Sequence, residues 1–175
     1  MRTRSIFTIS VVLVLVLLTG TLLDVMRANA QPAAQSTLGT LSLGPADMVP
    51  SDEALDYYSD GMTISIEDVA GGGFLIPVHI PAGSYIKSIQ LYAFDENGAS
   101  DICAHLYRNQ FAQFTDAFMG TVCTSGSSGN QNVQTWAIGP QFISEHHAPY
   151  LWVDIPSMTL MAFVGVKIKY QPPSL

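Results

Sequence analysis

FLIPVHIPAGSYIKSIQLYAFDENGASDICAHLYRN, from Phe74 to Asn109, is the stretch of sequence that decides the fold. It contains three segments rich in β-branched and aromatic residues, which favour strands. The turn sequences Pro81-Ala82-Gly83-Ser84 and Asp95-Glu96-Asn97-Gly98 separate them, because proline presets the backbone and Gly and Asn tolerate tight turns. The pattern predicts an antiparallel meander of three strands, 74–79, 85–94 and 102–107.

The middle strand of this stretch has an irregular alternation. Ile89, Leu91 and Ala93 share one face, whereas Ile86 falls on the opposite parity. All four side chains can point to the core only if the strand accommodates one extra residue. We therefore predict a β-bulge near Lys87-Ser88.

Short alternating segments bounded by turn residues continue along the rest of the chain. The last of them, Leu160 to Tyr170, is predicted to place Lys167 and Lys169 on one face and four other residues on the opposite face: Val164, Val166, Ile168 and Tyr170. No segment has the pattern of a long amphipathic helix. Eight to ten short strands of this kind predict an all-β fold, an antiparallel β-sandwich of jelly-roll type.

The N-terminal region has the pattern of an export signal. A basic start, an apolar run from Ile6 to Leu23 and Ala28-Asn29-Ala30 predict a signal peptide over residues 1–30, cleaved after Ala30. The alternative is an uncleaved membrane anchor, since the run is near the length of a spanning helix. Residues 31–39 lack periodicity and predict a flexible leader, and residues 40–171 form a single β-sandwich domain. We expect a secreted protein with no membrane insertion after cleavage.

The charge of the exported part excludes one class of partner. Removing residues 1–30 leaves 145 residues with four Lys and Arg against thirteen Asp and Glu, a net charge of −9. Nucleic-acid binding depends on Lys and Arg that replace counterions on the phosphates. We therefore expect no nucleic-acid partner.

The chain has two cysteines, Cys103 and Cys123, and both fall in predicted strands of the exported part. Disulfides persist in oxidising compartments. A zinc site or a reactive thiol are the alternatives, but the chain has no CxxC spacing and no matching His pattern. We predict a disulfide between the two, which stabilises the fold by about 3 kcal/mol in the chain-entropy model.

Several longer segments resemble a group of secreted bacterial β-sandwich proteins of uncharacterised function. They are IPAGSYIKSIQLYAFDENGASDICAHLYR, TVCTSGSSGNQNVQTWAI, APYLWVDIP and FVGVKIKY, and the similarity covers Gly44 to Tyr170. The resemblance implies a sandwich fold and export. It implies no catalytic residues, and the two cysteines are not part of the shared pattern.

Patterns of catalytic residues are missing from the sequence. There is no GxSxG nucleophile elbow and no HExxH zinc pattern. Because no nucleophile and base occur at a recognised spacing, we predict that the protein is not an enzyme and needs no cofactor.

One turn carries candidate ligands for a metal ion. Asp95, Asn97 and Asp101 place hard oxygen donors around a tight turn, and Ca²⁺ prefers such donors. The alternative is a turn in which Asp and Asn side chains accept hydrogen bonds from their own backbone.

Aromatic side chains give the other candidate site. If Leu151, Val153 and the equivalent residues of the other strands are core, then Tyr92, Tyr107 and Trp152 face outward. An outward aromatic patch marks a contact surface and can stack on sugar rings. The alternatives are that these rings fill the core or an interface in a homo-oligomer.

Two hypotheses about function follow. The first is a secreted, non-catalytic domain that acts through surface contacts, in self-assembly or in attachment at the cell exterior. The second is a carbohydrate-binding module, assisted by calcium or independent of it, that holds a glycan with Tyr92, Tyr107 and Trp152.

Overall fold

Antiparallel strands in two layers form the part of the chain that the computed structural model describes, residues 37–67, 71–111, 113–135, 141–156 and 160–174. The chain divides into two units, Met1–Gln35 and Ser36–Leu175. The first unit lies wholly outside the described residues. The predicted signal peptide, 1–30, and residues 31–36 of the predicted leader lie outside them as well, so cleavage after Ala30 stays a prediction.

Twelve strands and a short 3-10 helix, Pro45–Asp47, make up the regular structure of the described residues. The strands are β1 (Gly39–Leu43), β2 (Val49–Pro50), β3 (Tyr57–Ser59), β4 (Ile64–Ile66), β5 (Gly72–Pro77), β6 (Tyr85–Asp95), β7 (Cys103–Gln110), β8 (Thr115–Cys123), β9 (Gly129–Thr135), β10 (Gln141–Phe142), β11 (His147–Ile155) and β12 (Met161–Gln171). Eight of them have five or more residues.

These strands form two sheets. The five-stranded sheet has the order β2-β5-β11-β7-β8. The seven-stranded sheet has β6 and β12 at its centre, with β9 and β10 on the far side of β6 and with β1, β4 and β3 beyond β12. The predicted all-β fold, an antiparallel sandwich of jelly-roll type, is confirmed.

The core lies between the two sheets and follows the alternation of the strands. Ile86, Ile89 and Leu91 of the seven-stranded sheet and Leu151 and Val153 of the five-stranded sheet are all fully buried. Burying one such side chain stabilises the fold by about 1.5–3 kcal/mol. The parity of these residues decides which side chains of each strand point outward.

The predicted meander is wrong. Strands β5 and β7 belong to the five-stranded sheet, where β11 lies between them, whereas β6 lies in the opposite sheet and pairs with β12. Both turns therefore cross from one layer to the other. Sequence patterns identified the strands correctly but not their partners, because the partners lie far away along the chain.

The predicted bulge in β6 is confirmed. One of the two register shifts between β6 and β12 lies here, since Lys169 is opposite Ser88 and Tyr170 is opposite Ile86. Lys87 is the extra residue. The bulge allows Ile86 to be fully buried together with Ile89 and Leu91.

Two cross-links support the sandwich. Cys103 and Cys123 form the predicted disulfide, with 2.09 Å between the sulfur atoms, and join β7 to β8. The second is polar: the Thr124 hydroxyl donates a short hydrogen bond to Asp95 Oδ2 and accepts one from the Ile102 amide at 2.9 Å. Because Asp95 ends β6 and Thr124 follows β8, this network joins the two layers.

Among the described residues, no helix has the length and apolar character needed to cross a membrane. The apolar run from Ile6 to Leu23 lies outside the described residues.

Candidate functional site

The outer face of the five-stranded sheet carries a cluster of aromatic side chains. In β11, Leu151, Val153 and Ile155 are fully buried, so Tyr150 and Trp152 point away from the core. In β7, Ala104 and Leu106 are fully buried, and Tyr107 points outward. Two strands at the middle of the sheet thus present aromatic residues on the same side.

The strand register brings three of the rings into one row. Tyr150 lies opposite Tyr107, and Tyr107 lies opposite Phe118 of β8. A register shift after Leu106 makes Met119 the extra residue of β8, and Met119 is buried while Phe118 is 57% exposed. We call Tyr107, Phe118, Tyr150 and Trp152 the aromatic face.

The rings of this row contact one another. The centroids of Tyr107 and Tyr150 are 5.5 Å apart with planes 16° from parallel. The centroids of Tyr107 and Phe118 are also 5.5 Å apart, with planes at 64°. Both distances are within the range of favourable aromatic pairs, which hold the rings in defined orientations. The row is preorganised, and Phe118 is its most exposed member.

The hydroxyl of Tyr150 is held by a carboxylate. Tyr150 Oη donates a hydrogen bond to Asp116 Oδ2 at 3.0 Å. Burial, this hydrogen bond and the negative charge of Asp116 together raise the pKa of Tyr150 to about 12. The phenol therefore stays protonated near neutral pH, and the exposed Asp116 keeps acceptor capacity beside the rings.

Trp152 lies across a glycine of the neighbouring strand. A Cβ atom at Gly73 would overlap Trp152 Cζ2, so the absence of a side chain at Gly73 makes room for the indole. Trp152 is opposite Leu75 and His105 in the register and is half-buried. The indole is thereby packed against the sheet next to the row of three rings.

Polar groups surround the aromatic face. Thr121 Oγ1 is 2.9 Å from His105 Nδ1, and both residues face outward in the row that contains Trp152. On the other side, Asn109 lies opposite the exposed Asp116. Rings with hydroxyl, amide and carboxylate groups at their margins provide both apolar contact and hydrogen bonding.

The structure separates the three aromatic residues that the sequence grouped as one site. Tyr107 and Trp152 lie together on the outer face of the five-stranded sheet. Tyr92 is on β6 and points outward from the opposite layer, because Leu91 and Ala93 are buried. No single ligand surface of the sandwich contains all three.

The turn with the candidate metal ligands is held by its own hydrogen bonds. Asp95 is fully buried, and its Oδ1 accepts from the Asn97 amide at 2.9 Å while its Oδ2 accepts from Thr124. Asn97 Oδ1 accepts from the Ala99 amide at 2.8 Å. Asp101 is exposed. These hydrogen bonds are the ones expected of a turn in which Asp and Asn side chains accept from their own backbone. Calcium binding at this turn stays a prediction.

A cavity of about 430 Å³ lies where the segment after β5 meets the start of β11. His79 and His147 are among its lining residues. Burial and the charge of Arg108 lower the pKa of His147, whose Nδ1 accepts a hydrogen bond from the Ser144 amide at 3.2 Å. Within the described ranges, no three His, Cys, Asp or Glu side chains are placed to hold one metal ion.

Three residues that form or support the aromatic face have no clear signal in the sequence: Phe118, Asp116 and Gly73. Phe118 lies in β8 directly before the extra residue Met119, so its direction does not follow from simple alternation. Asp116 and Tyr150 are 34 residues apart in sequence and meet because β8 and β11 both pair with β7. Gly73 is the last of three consecutive glycines, a pattern that indicates only a flexible segment.

Comparisons with protein families and with curated proteins find no match to this chain. Among solved structures, the CBM36-1 domain of a multidomain xylanase from the hindgut metagenome of Trinervitermes trinervoides is similar, with a TM-score of 0.48 and 10% identity, over 74% of this chain and 96% of that one. The xylan-binding module CBM15 has a TM-score of 0.48 and 9% identity, with coverage of 79% and 100%. CBM35 from Cellvibrio japonicus Abf62 has a TM-score of 0.41 and 11% identity, with coverage of 78% and 99%. These likenesses concern the sandwich fold, and what those modules bind is a property of those proteins.

Proposed function

We propose that this protein is an exported, non-catalytic carbohydrate-binding domain that holds a glycan on its aromatic face. The observation that supports the proposal is the row formed by Tyr107, Phe118 and Tyr150 beside Trp152, on the outside of one sheet. The proposal rests on this face alone.

Stacking on the rings supplies the apolar part of recognition. One side of a pyranose ring presents C–H bonds with a small positive charge, and the face of an aromatic ring is negative. Phe118 is the most exposed of the rings, and its orientation is fixed by contact with Tyr107. A sugar that stacks here meets a surface that needs little ordering, which lowers the entropic cost of binding.

Hydrogen bonds at the margin supply orientation. Asp116 can accept from sugar hydroxyls while it holds Tyr150, and Asn109 and Thr121 can both donate and accept. A few polar groups beside apolar contact area are the usual composition of small-molecule sites. The face therefore fits a neutral sugar chain.

Affinity electrophoresis in gels that contain xylan, mannan or mixed-linked glucan tests the proposal. We expect retardation by at least one of these polymers, and Phe118→Ala or Trp152→Ala should weaken it by about tenfold or more, which corresponds to about 1.4 kcal/mol. Tyr85→Ala is the matched control, because Tyr85 is an aromatic residue with 39% exposure in the other sheet. Retardation by none of the polymers, or equal loss with Tyr85→Ala, would reject the proposal.

Calcium assistance is tested in the same gels. Asp101 is the exposed carboxylate of the candidate turn. If calcium assists binding, a chelator should reduce the retardation and Asp101→Asn should abolish the difference. Identical mobility with calcium and with chelator would show that calcium does not assist binding.

Self-assembly, the other hypothesis from the sequence, has one observation in its favour. The hairpin between β7 and β8 exposes Phe114 at 94% and Phe111 at 55%, and a second copy could cover them. Size-exclusion chromatography over a wide concentration range decides this. A monomer at every concentration would count against self-assembly, whereas a dimer that Phe114→Ser abolishes would support it.

A further inference from the structure

The outer face of the seven-stranded sheet differs from the rest of the molecule in charge. Of the four Lys and Arg in residues 31–175, three lie on this sheet: Lys87 on β6, and Lys167 and Lys169 on β12. The strands of this sheet contain a single carboxylate, Asp95, which is fully buried. In a chain part with thirteen acidic residues, the positive charge is concentrated on one face. We call Lys87, Lys167 and Lys169, with Gln90 and Tyr92, the lysine face.

Two of these lysines contact aromatic rings. Lys87 Nζ is 5.5 Å from the centroid of Tyr85. Lys167 Nζ is 5.3 Å from the centroid of Tyr92 and 3.3 Å from its hydroxyl oxygen. Among the described residues, the one ion pair within 4 Å joins Glu145 to His146, so no described carboxylate neutralises Lys87 or Lys167 at that range. Their charges remain available to an anion from outside.

A shallow pocket lies beside Lys167. It has a volume of about 190 Å³ and is lined by Tyr92, Lys167, Ser42 and the segment around Gly165. Gly165 lies opposite Tyr92, and the absence of a side chain there lets the backbone of Leu43 approach closely. A register shift at Val164 turns that side chain outward to 40% exposure. The pocket thus has an aromatic wall, an ammonium group and a hydroxyl.

Amide and hydroxyl groups extend from this pocket across the sheet. In one row of the register, Ser42, Lys167, Gln90 and Gln134 lie opposite one another on four neighbouring strands. Three intervals of about 4.8 Å make this row about 14 Å long. Gln90 Nε2 donates to Asn132 Oδ1 at 2.6 Å, which fixes both amides. The row provides hydrogen-bonding groups over the length of several sugar units.

We infer that the lysine face is a second glycan-binding site and that it takes an acidic polysaccharide, one that carries carboxylates on its sugars. Lys167 and Lys87 attract the carboxylates, Tyr92 contacts a sugar ring, and the amide row binds hydroxyls. Charge complementarity selects this ligand, since an overall negative protein repels polyanions everywhere except at such a patch. The inference extends the proposed function but stands on different residues, so either site can fail alone.

Affinity electrophoresis with polygalacturonate, alginate and hyaluronate tests the inference, with the methyl ester of polygalacturonate as the uncharged counterpart. We expect retardation by at least one acidic polymer, little by the ester, and weakening of about tenfold or more in Lys87→Gln/Lys167→Gln. Lys87→Arg/Lys167→Arg should retain binding, because it keeps both charges. Added salt should weaken the binding of acidic polymers, because salt screens exposed charges.

Three outcomes would overturn the inference. They are no retardation by any acidic polymer, equal retardation by the methyl ester, and unchanged retardation in the double Gln variant with a native circular dichroism spectrum. If that variant instead abolishes self-association seen by size exclusion, the partner of the face is a second, acidic copy of the chain. Phe118→Ala should leave acidic binding unchanged, which separates this test from that of the aromatic face.

Discussion

The two outer faces of the sandwich share one kind of scaffold and differ in what they present. On the five-stranded sheet, β7, β8 and β11 direct Tyr107, Phe118, Tyr150 and Trp152 outward, with the carboxylate of Asp116 among them. On the seven-stranded sheet, β6 and β12 direct Tyr92 outward among lysines and amides, with no exposed carboxylate on a strand.

The difference shows how an antiparallel sandwich separates folding from recognition. Inward residues on both sheets are mainly aliphatic and aromatic side chains that form one core. Outward residues determine the ligand that a face can accept. The outward residues of the two sheets can therefore differ without a change in the core.

The largest expected effect comes from breaking the polar link between the two sheets. Thr124→Val removes the hydroxyl that donates to Asp95 and accepts from the Ile102 amide, and all three residues are buried. A buried carboxylate and a buried amide then lose a partner, so we expect a loss of about 4 kcal/mol in the free energy of unfolding. Denaturant unfolding measures it.

Thr121→Val is the matched control for this substitution. Thr121 is exposed and bonds His105 at the surface, so its loss should cost less than about 1 kcal/mol. Both faces should lose binding together in Thr124→Val if the variant unfolds. Equal stability of the two variants would show that the buried link contributes nothing.

A smaller effect should separate the faces. Gly73→Ala places a Cβ atom against the indole of Trp152, which has to move, at a cost of about 2 kcal/mol in stability. Binding at the aromatic face should fall while binding at the lysine face stays. Trp152 fluorescence and affinity electrophoresis measure the two consequences.

Gly44→Ala is the control, because nothing lies within 4 Å of a Cβ built there and its backbone is extended. It should change neither binding nor fluorescence. If Gly73→Ala left the fluorescence and the neutral-glycan binding intact, the packing of Trp152 on Gly73 would not matter to the aromatic face.

The smallest expected effect is a loss of stability at alkaline pH, which comes from Tyr150 of the aromatic face. The pKa of Tyr150 is raised from 10.0 to about 12, so the folded state holds this proton more tightly than the unfolded state does. The stability linked to the protonated phenol, through its burial and its hydrogen bond to Asp116, is therefore fully present below pH 10 and is lost as the pH rises toward 12. Ultraviolet titration should show one tyrosine that ionises late and that Tyr150→Phe removes. A titration curve unchanged in that variant would contradict the assignment.

Sequence patterns predicted what depends on neighbours along the chain. The parity of Ile86 against Ile89 and Leu91 was sufficient to place the bulge near Lys87-Ser88. Alternation in β7 and β11 put Tyr107 and Trp152 outward. The pairing between distant strands could not be predicted from the sequence, because many arrangements of strands satisfy the same alternation. For that reason the sequence joined β5, β6 and β7 into one meander and grouped Tyr92 with Tyr107.

The most direct test of the two faces is a titration of the isotope-labelled protein with a neutral oligosaccharide, followed by nuclear magnetic resonance. The chain has two tryptophans, and the indole N–H of Trp152 reports on the aromatic face. We predict that its resonance and those of Tyr107 and Phe118 shift while those of Tyr92 and Lys167 stay. Shifts centred on Tyr92 and Lys167, or no shift for any neutral sugar, would contradict the assignment of neutral-glycan binding to the aromatic face.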